Sequence, residues 1–333
     1  MATKISQLGK VAFTERLLQN FKGVNHDDAA IIDRGESLEL VSEATFFEGV
    51  DFDLQYFPLS HLGYKAVTAA VSNICAMNGT AQWITVSIGL SSRFMVEDVD
   101  QIYEGVFRAC SDYKLTLIGG NTSASLTGLT IAISCIGQTE KSRVTLRRGA
   151  CNTDIVCITS DLGAAYMGLQ LLEREKRALK GNDGVQPQLD GYKYILGRQL
   201  HPMARIDVVE SLSKEGIQPT SMIDITKGLA SAALHICNRS ECGVRLYLER
   251  LPIAPETFRM AEELGADPVV AALNGGDDYE LMFTVPLDMH KQVAQMGGID
   301  IVGHITTQEK GAALISPDGS EISLTSPDFT AAE

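Results

Sequence analysis

The sequence lacks the features that identify several common classes of protein. It contains no stretch of 18 or more apolar residues, and its first ten residues carry no apolar signal-peptide core. Its seven cysteines include no C-x-x-C pair, and its six histidines are dispersed. We therefore expect no membrane span, no disulfide framework and no zinc site, but reduced, mostly buried thiols in a cytoplasmic protein.

Positive charge is also scarce. The chain has 28 Lys and Arg residues against 42 Asp and Glu residues, which gives a net charge of −14 at pH 7. The cations are scattered along the chain, so we expect no nucleic-acid partner. A polyphosphate would bind such an acidic protein only where metal ions or local cations offset the negative charge.

Several well-known nucleotide-binding and catalytic motifs are absent as well. The chain has no G-x-x-x-x-G-K-[ST], no G-x-G-x-x-G, no H-R-D and no G-x-S-x-G. These absences argue against a P-loop protein and against the other families that these motifs identify.

Hydrophobic periodicity predicts two halves, each with mixed strands and helices in two layers. A chain of 333 residues is too long for one ordinary core. The polar stretch 145–151 contains Gly149 and marks a junction, so we predict domains at 1–146 and 147–333. Helices are predicted at about 6–20 (capped by Ser6), 60–77, 96–113, 162–179, 207–215, 227–240, 256–264 and 288–295. Strands are predicted at about 29–32, 38–41, 83–90, 115–118, 129–137, 155–159, 244–248, 279–285, 301–305 and 312–315, with a loop at 180–188.

Three short segments combine glycine or polar residues with acids or amides beside strand ends. They are 23–29 (G-V-N-H-D-D-A), 119–123 (G-G-N-T-S) and 275–279 (G-G-D-D-Y). Glycine pairs let backbone N–H groups approach a phosphate, and carboxylate oxygens suit Mg²⁺, so together the segments favour phosphoryl transfer. Each segment alone is more typical of a solvated turn or a tight connection.

Lys227 is the unexpected residue near these segments. It follows Asp224 and Thr226 and precedes apolar residues at helical spacing, so we predict Thr226 as the N-cap and Lys227 as the first helical residue. A cation there faces the positive end of the helix dipole, which costs roughly 0.3–1 kcal/mol. Either its side chain extends into solvent or it has a functional role.

Eight motifs spread over nearly the whole chain carry a family resemblance. They are H-D-D-A-A (26–30), F-E-G-V-D-F (47–52), G-Y-K-A-V-T-A-A-V-S-N-I-C-A-M (63–77), G-G-N-T-S (119–123), R-R-G-A (147–150), S-D-L-G-A-A-Y-M-G-L (160–169), I-D-I-T-K-G-L (223–229) and G-G-D-D-Y-E-L (275–281). In this order they resemble the thiamine-monophosphate kinases, which belong to the aminoimidazole-ribonucleotide synthetase-like superfamily.

The resemblance implies a fold and an activity. The fold is a two-domain α/β (α+β) protomer, whose N-terminal sheet pairs into a barrel across a homodimer. ATP, Mg²⁺ and thiamine monophosphate would meet in the cleft between the domains. The γ-phosphoryl group of ATP would pass directly, in line, to the phosphate of thiamine monophosphate.

The resemblance also assigns site residues by position. The implied metal ligands are Asp27, Asp28, Ser42, Asn73, Asn121 and Asp224. The implied nucleotide contacts are Tyr103, Gly119, Gly120, Asn121, Arg147 and Thr226. The implied catalytic residues are Asp224 and Lys227, with Asp51 and Asp277 on the substrate side.

The chain departs from the family pattern at several positions. Ala44, Asn73, Asn121 and Lys227 stand where the family has aspartate. The remaining departures are Glu43 for threonine, His26 for glycine, Asp51 for a histidine that meets substrate, Asp277 for glutamate, and Phe329 as the only candidate for a C-terminal aromatic residue.

These departures change the charge of the predicted site. Four negative charges are lost and one positive charge is gained, so Lys227 could partly replace a metal ion. It is a poor substitute, because an ammonium is one charge on a flexible stem whereas Mg²⁺ fixes octahedral oxygens. Asn73 and Asn121 could still coordinate through their carbonyl oxygens. Glu43 would not replace an acid at Ala44, since neighbouring strand residues face opposite sides.

Three hypotheses follow from the resemblance and its departures. The chain is a working kinase with an altered metal complement, or a paralogue without turnover that binds nucleotide or thiamine phosphate as a regulatory or partner subunit. The third is a related enzyme with another acceptor. Alternatives also stay open for single residues: Tyr103 as a core residue, Arg147 as a surface cation at the junction, and Asp27 with Asp28 as a solvated turn.

Overall fold

The computed structural model of the chain describes residues 8–21, 23–24, 26–179 and 189–329. The predicted cap at Ser6 and the predicted loop at 180–188 lie outside these residues. No helix within them is long and apolar enough to cross a membrane.

The first half forms a five-stranded sheet in the order β1-β2-β5-β3-β4. Its strands are β1 (Ala30–Asp33), β2 (Ser37–Phe47), β3 (Thr80–Leu90), β4 (Thr116–Ala124) and β5 (Thr130–Glu140). Its helices are α1 (Lys10–Leu18), α2 (Leu59–Cys75) and α3 (Val96–Tyr113). Neighbouring strands are antiparallel except β3 and β4, which are parallel.

Helices α2 and α3 cross at van der Waals distance because each has a glycine at the crossing point. A Cβ atom on Gly63 would lie 2.0 Å from the carbonyl oxygen of Ile102, and one on Gly105 would lie 1.8 Å from that of Ser60. Such a close approach lets α2 become almost wholly buried between α3, the first sheet and the second half.

The second half forms a seven-stranded sheet in the order β12-β11-β8-β10-β6-β9-β7. Its strands are β6 (Ile155–Thr159), β7 (Ser221–Ile225), β8 (Cys242–Tyr247), β9 (Glu280–Val285), β10 (Ile299–Thr307), β11 (Ala312–Ile315) and β12 (Glu321–Ser323). Its helices are α4 (Ala164–Leu179), α5 (Lys193–Leu200), α6 (Ile206–Lys214), α7 (Leu229–Ser240), α8 (Pro255–Leu264), α9 (Pro268–Asn274) and α10 (His290–Val293). Every residue of β6, β7 and β9 is buried, as expected of strands covered on both faces.

The two mixed sheets with packed helices confirm the predicted fold class. The predicted bounds of α3, β6 and β11 are those of the structure, whereas β7, α5 and α9 were not predicted. The prediction that the segment 119–123 lies beside the end of a strand was wrong, because these residues lie inside β4. Gly120 fits there since a Cβ atom would lie 2.5 Å from the carbonyl oxygen of Val86 on β3.

Candidate active site

A cavity of about 480 Å³ lies where the two halves meet. The segment before β1, helices α1, α2 and α7, and the end of β7 surround it. It brings together seven of the predicted site residues: Asp27, Asp28, Asn73, Arg147, Asp224, Thr226 and Lys227.

Arg147 ties the segment before β1 to the junction between the halves. Its Nε and Nη2 atoms donate to the two carboxylate oxygens of Asp28 at 3.0 and 2.8 Å, and its backbone N–H donates to Asp27 Oδ1 at 2.8 Å. Burial alone would lower the pKa of Arg147, but the charge and hydrogen bonds of Asp28 raise it. The guanidinium is therefore a fixed positive charge on the cavity wall.

Asp224 is a buried carboxylate on the second-to-last residue of strand β7. Its Oδ1 accepts a hydrogen bond from Ser72 of α2 at 2.9 Å, and its Oδ2 accepts one from Thr226 at 2.8 Å. Burial and the nearby charge of Asp28 raise the pKa of Asp224 to about 7, although both hydrogen bonds act in the opposite direction. The charge of Asp28 thus disfavours ionisation of Asp224, and a cation bound beside these carboxylates would offset this effect.

The structure corrects the prediction for Lys227. Helix α7 begins at Leu229 and its N-cap is Gly228, with φ +82°, so Lys227 precedes the helix and Thr226 does not cap it. A Cβ atom at position 228 would lie 2.4 Å from the carbonyl oxygen of Leu273, which explains why glycine is needed. Lys227 is exposed on the cavity wall and makes no hydrogen bond or ion pair with the described part of the chain.

His26 stands in left-handed backbone where the family pattern has glycine. Its φ is +55°, a conformation that glycine adopts freely and that histidine adopts more often than most other residues. The replacement therefore preserves the turn that presents Asp27 and Asp28 to the cavity, and it adds an imidazole to the wall.

The oxygen donors on the cavity wall fit Mg²⁺. Asp27, Asp28 and Asp224 supply carboxylates, and Asn73 adds an amide. Among the described residues, no group of three His, Cys, Asp or Glu side chains is gathered tightly enough to hold a metal ion by itself. Mg²⁺ commonly completes its octahedron with phosphate oxygens and water, so an incomplete protein set is what a nucleotide-dependent site requires.

His235 adds an aromatic ring to the cavity wall. The ring of His235 on α7 lines the cavity and packs edge-on against Phe329, with 4.8 Å between ring centroids. Burial lowers the pKa of His235 to about 4, with a smaller effect from the charge of Arg147. Phe329, the candidate C-terminal aromatic residue, thus lies one side chain away from the cavity.

Four predicted nucleotide contacts lie outside this cavity. Gly119, Gly120 and Asn121 are exposed on β4, which is the opposite edge of the first sheet from β1. Four strand spacings of about 4.8 Å separate the two edges, roughly 19 Å. Tyr103 lies on α3 with its ring 6.1 Å from that of Phe107, and it packs against the first core.

The predicted metal ligand on β2, Ser42, and its neighbours Glu43 and Ala44 do not line the cavity. Ser42 is buried and donates to the carbonyl oxygen of Ala70 at 2.7 Å. Ala44 packs against the first core, while Glu43 is exposed on the other face of the strand. The alternation explains why Glu43 does not replace an acid at position 44.

The two substrate-side predictions are both engaged within the chain. Asp51 Oδ2 accepts from the backbone N–H of Phe47 at 2.8 Å and so closes a turn after β2. Asp277 Oδ2 accepts from Lys65 Nζ at 3.0 Å, and its side chain remains 31% exposed.

Sequence reasoning missed a buried polar row on α2 that reaches into the second half. Lys65, Thr68 and Ser72 are all 0% exposed, and each donates to an acceptor in the second half. Lys65 donates to Gln199 and Asp277, Thr68 donates to Pro202, and Ser72 donates to Asp224. Their spacing of three and four residues puts them on one helix face. The sequence signal that could have revealed this row is the spacing of polar residues by three and four positions within an otherwise apolar helix.

Comparisons with known proteins identify both halves. The family model described as AIR synthase related protein, N-terminal domain, matches residues 26–139, and that of the C-terminal domain matches residues 162–321. The thiamine-monophosphate kinase of Aquifex aeolicus (strain VF5) is 32% identical over 284 residues, which are 85% of this chain and 88% of that protein.

Further relatives extend the match to a ligand-bound structure. The thiamine-monophosphate kinase of Buchnera aphidicola subsp. Schizaphis graminum (strain Sg) is 32% identical over 302 residues, 88% of this chain and 87% of that protein. The solved structure of AaThiL complexed with AMPPCP and TMP superposes with a TM-score of 0.83 at 29% identity, and covers 97% of both chains.

Proposed function

The chain belongs to the thiamine-monophosphate kinase family, and from this premise we propose that it transfers the γ-phosphoryl group of ATP to thiamine monophosphate. The products are thiamine diphosphate and ADP. The observation that carries the proposal is the convergence of Asp27, Asp28, Asp224 and Arg147 on one cavity between the halves. A relative with the same fold binds AMPPCP and TMP.

The residues around the cavity have complementary roles in this reaction. Phosphoryl transfer depends on positioning and on stabilising charge, rather than on covalent chemistry by the protein. Arg147 is held rigidly by Asp28 and offers a fixed cation to a phosphate. Lys227, which is exposed on the cavity wall, offers a second cation.

Asp27, Asp28 and Asp224 would hold Mg²⁺, and Asn73 adds a neutral oxygen ligand. The metal supplies charge neutralisation for the phosphate oxygens. The metal-binding residues carry fewer negative charges than in the family pattern, so we infer that fewer metal ions bind. Lys227 would then supply part of the positive charge that the absent metal ions would have supplied. Its ammonium would pair with phosphate directly.

We further infer a cytoplasmic homodimer, with domains divided at 146/147 and the first sheets paired into a barrel. Strand β4 pairs with β3 alone within the described part of the chain, and its free edge is a template for another strand. Large apolar side chains on this sheet are exposed, including Trp83 at 41% and Ile118 at 54%. A second copy is also what could bring Asn121 to a site.

A second candidate function rests on the replaced acids. Asn73 and Lys227 both line the cavity, and each removes a carboxylate that the family pattern places there. The chain would then bind nucleotide or thiamine monophosphate as a regulatory or partner subunit without turnover. A different acceptor on the same fold is a further alternative, because Asp51 and Asp277 differ from the pattern.

The test is product formation from ATP, thiamine monophosphate and Mg²⁺, resolved by chromatography, with the acceptor omitted in a parallel reaction. The proposal predicts equal amounts of thiamine diphosphate and ADP, and neither without acceptor. Binding of both ligands without product would instead support the partner-subunit function. ADP without thiamine diphosphate would point to another acceptor or to hydrolysis.

A further inference from the structure

Lys65 is a fully buried lysine whose three donors are all satisfied across the boundary between the halves. Its Nζ atom donates to the backbone oxygen of Gln199 at 3.0 Å, to Gln199 Oε1 at 3.3 Å and to Asp277 Oδ2 at 3.0 Å. It also lies 5.5 Å from the ring centroid of Phe57 and 6.0 Å from that of Tyr279. An ammonium has three N–H donors, so this environment is complete for a charged lysine.

The segment that Lys65 holds has unusual backbone. Gly276, Asp277 and Tyr279 have φ values of +90°, +60° and +53°, all in the left-handed region. For residues with a Cβ atom this conformation is strained, so it persists only where surrounding contacts fix it. Three contacts do so: the ion pair at Asp277, the bond from Gly163 N–H to Asp278, and the buried ring of Tyr279.

The same segment touches the backbone of the proposed active site. The N–H of Asp277 donates to the carbonyl oxygen of Thr226 at 2.9 Å. A Cβ atom on Gly276 would lie 2.7 Å from that oxygen and 3.4 Å from the Cα atom of Lys227. Any shift of 276–277 must therefore move the residues that follow Asp224.

Helix α2 fixes this region at a second point. Ser72 lies seven residues after Lys65, about 10.5 Å along the same helix face, and donates to Asp224. One rigid helix of the first half thus holds both the strand end that carries Asp224 and the segment packed against Thr226. The distance between these two points is set by α2.

We propose that Lys65 is a positioning residue for phosphoryl transfer, which acts through Asp277 on the backbone of Thr226 and Lys227. Lys65 does not line the cavity and touches no reacting atom. Its role rests on the proposed kinase function, since it places groups that act on the phosphates. Transfer rates fall steeply when such groups are misplaced, about 100-fold for a shift of 1 Å.

Lys65→Met is a suitable test because methionine has similar length and no charge. Removing one partner of a buried ion pair is usually costly because the other is left unpaired, but Asp277 retains access to water. Combining Lys65→Met with Asp277→Asn removes the unpaired carboxylate altogether. Lys176→Met is the matched control. Lys176 also crosses the halves, pairing with Asp53 and lying 5.8 Å from the ring centroid of Tyr56, but it contacts neither 275–279 nor 224–227.

Two readouts are measured on the natural chain, both single variants and Lys65→Met combined with Asp277→Asn. The first is kcat and KM for each substrate, and the second is hydrogen exchange of peptides that cover 224–229 and 275–279. For Lys65→Met we expect kcat to fall about 10- to 100-fold, little change in KM for ATP, and faster exchange in both peptides. The double variant should lose no more activity than Lys65→Met, and Lys176→Met should match the natural chain in both readouts.

The proposal is overturned if Lys65→Met has the same kcat and the same hydrogen exchange as the natural chain. It is also overturned if Lys176→Met lowers kcat as much as Lys65→Met does, because any contact between the halves would then have the same effect on turnover. If the natural chain itself forms no thiamine diphosphate, the kinase function fails. Exchange at 224–229 then decides the positioning role alone: faster exchange only in Lys65→Met supports it, and no difference between the two variants overturns it.

Discussion

The carboxylate of Asp224 at the end of β7 accepts a hydrogen bond from Ser72 on α2, with 2.9 Å between Oδ1 and Oγ. Ser72 is 0% exposed and Asp224 is 5% exposed. Because Ser72 and Asp224 belong to different halves, while Thr226 donates to Asp224 from the same half, both oxygens of the central acid have donors only when the halves are packed together. The site is therefore a property of the interface between the halves.

Ser72→Ala removes this hydrogen bond and leaves a buried carboxylate oxygen without its donor. We expect a loss of about 1–3 kcal/mol in the free energy of unfolding, measured by urea denaturation. Ser211→Ala is the control, since Ser211 donates to the backbone oxygen of Asp207 on an exposed surface. Equal effects of the two substitutions would contradict the importance assigned to Ser72.

Arg147→Lys keeps a positive charge but removes the two-pronged contact with Asp28. We expect KM for ATP to rise about tenfold, because an ammonium cannot hold both carboxylate oxygens and a phosphate in fixed geometry. Arg93→Lys, at an exposed pair with Glu48, should leave KM for ATP unchanged. An unchanged KM in Arg147→Lys would remove Arg147 from the nucleotide site.

Asp278 gives the stability of the fold a predictable dependence on pH. Burial raises the pKa of its carboxyl group to about 8. The charge of Arg198 and the hydrogen bond from the Gly163 N–H lower this pKa, whereas the charges of Glu280 and Asp161 raise it further. Between its unfolded pKa and its folded pKa, the carboxyl group of Asp278 is protonated in the folded state and ionised in the unfolded state. Stability from this group is thus fully present at low pH, and it falls by up to about 1.4 kcal/mol per pH unit as pH rises toward 8.

Asp278→Asn should remove that dependence. Relative to the natural chain, the variant should gain stability as pH is raised from 5 to 8, as measured by urea denaturation at each pH. Asp318→Asn is the control, because Asp318 is exposed and the backbone N–H of Ser320 lowers the pKa of its carboxyl group. A pH-independent difference between Asp278→Asn and the natural chain would mean that Asp278 is ionised in the folded protein throughout.

Gly63→Ala tests the crossing of α2 and α3. The added methyl group would lie 2.0 Å from the carbonyl oxygen of Ile102, so the helices must separate, at a cost of about 1–3 kcal/mol in unfolding free energy. Gly197→Ala on α5 is the control, because nothing lies within 4 Å of its added methyl group. That change should stabilise the chain by about 0.5–1 kcal/mol, so a similar loss in both variants would refute the packing argument.

Elements with a clear local signal could be predicted from the sequence. Helix α3 shows regular amphipathic spacing from Val96 to Tyr113, and β6 is a short apolar run bounded by polar residues. Strand β4 could not be recognised in full, because Gly119 and Gly120 are typical of loops. They are accepted in the strand through close parallel pairing with β3, which no local pattern reveals.

The site could be predicted in part. Asp27, Asp28 and Arg147 follow from the family resemblance, and the structure brings them to one cavity. Lys227 lies before the helix because Gly228 is the N-cap, with a positive φ and with no room for a Cβ atom beside Leu273 on α9. The start of α7 is therefore decided by a contact between segments that are distant in sequence. The partners of Lys65, Gln199 and Asp277, are likewise distant in sequence and could not be predicted from a local pattern.

Catalysis by the natural chain is tested most directly by comparing its turnover with that of a variant carrying Ala44→Asp, Asn73→Asp, Asn121→Asp and Lys227→Asp. Formation of thiamine diphosphate from ATP and thiamine monophosphate is followed over a range of Mg²⁺ concentrations. We predict turnover by the natural chain, and saturation of the variant at lower Mg²⁺ because carboxylates replace neutral and cationic groups. Turnover by the restored variant alone would contradict the proposed kinase activity of the natural chain, which would then bind substrates without catalysing their reaction.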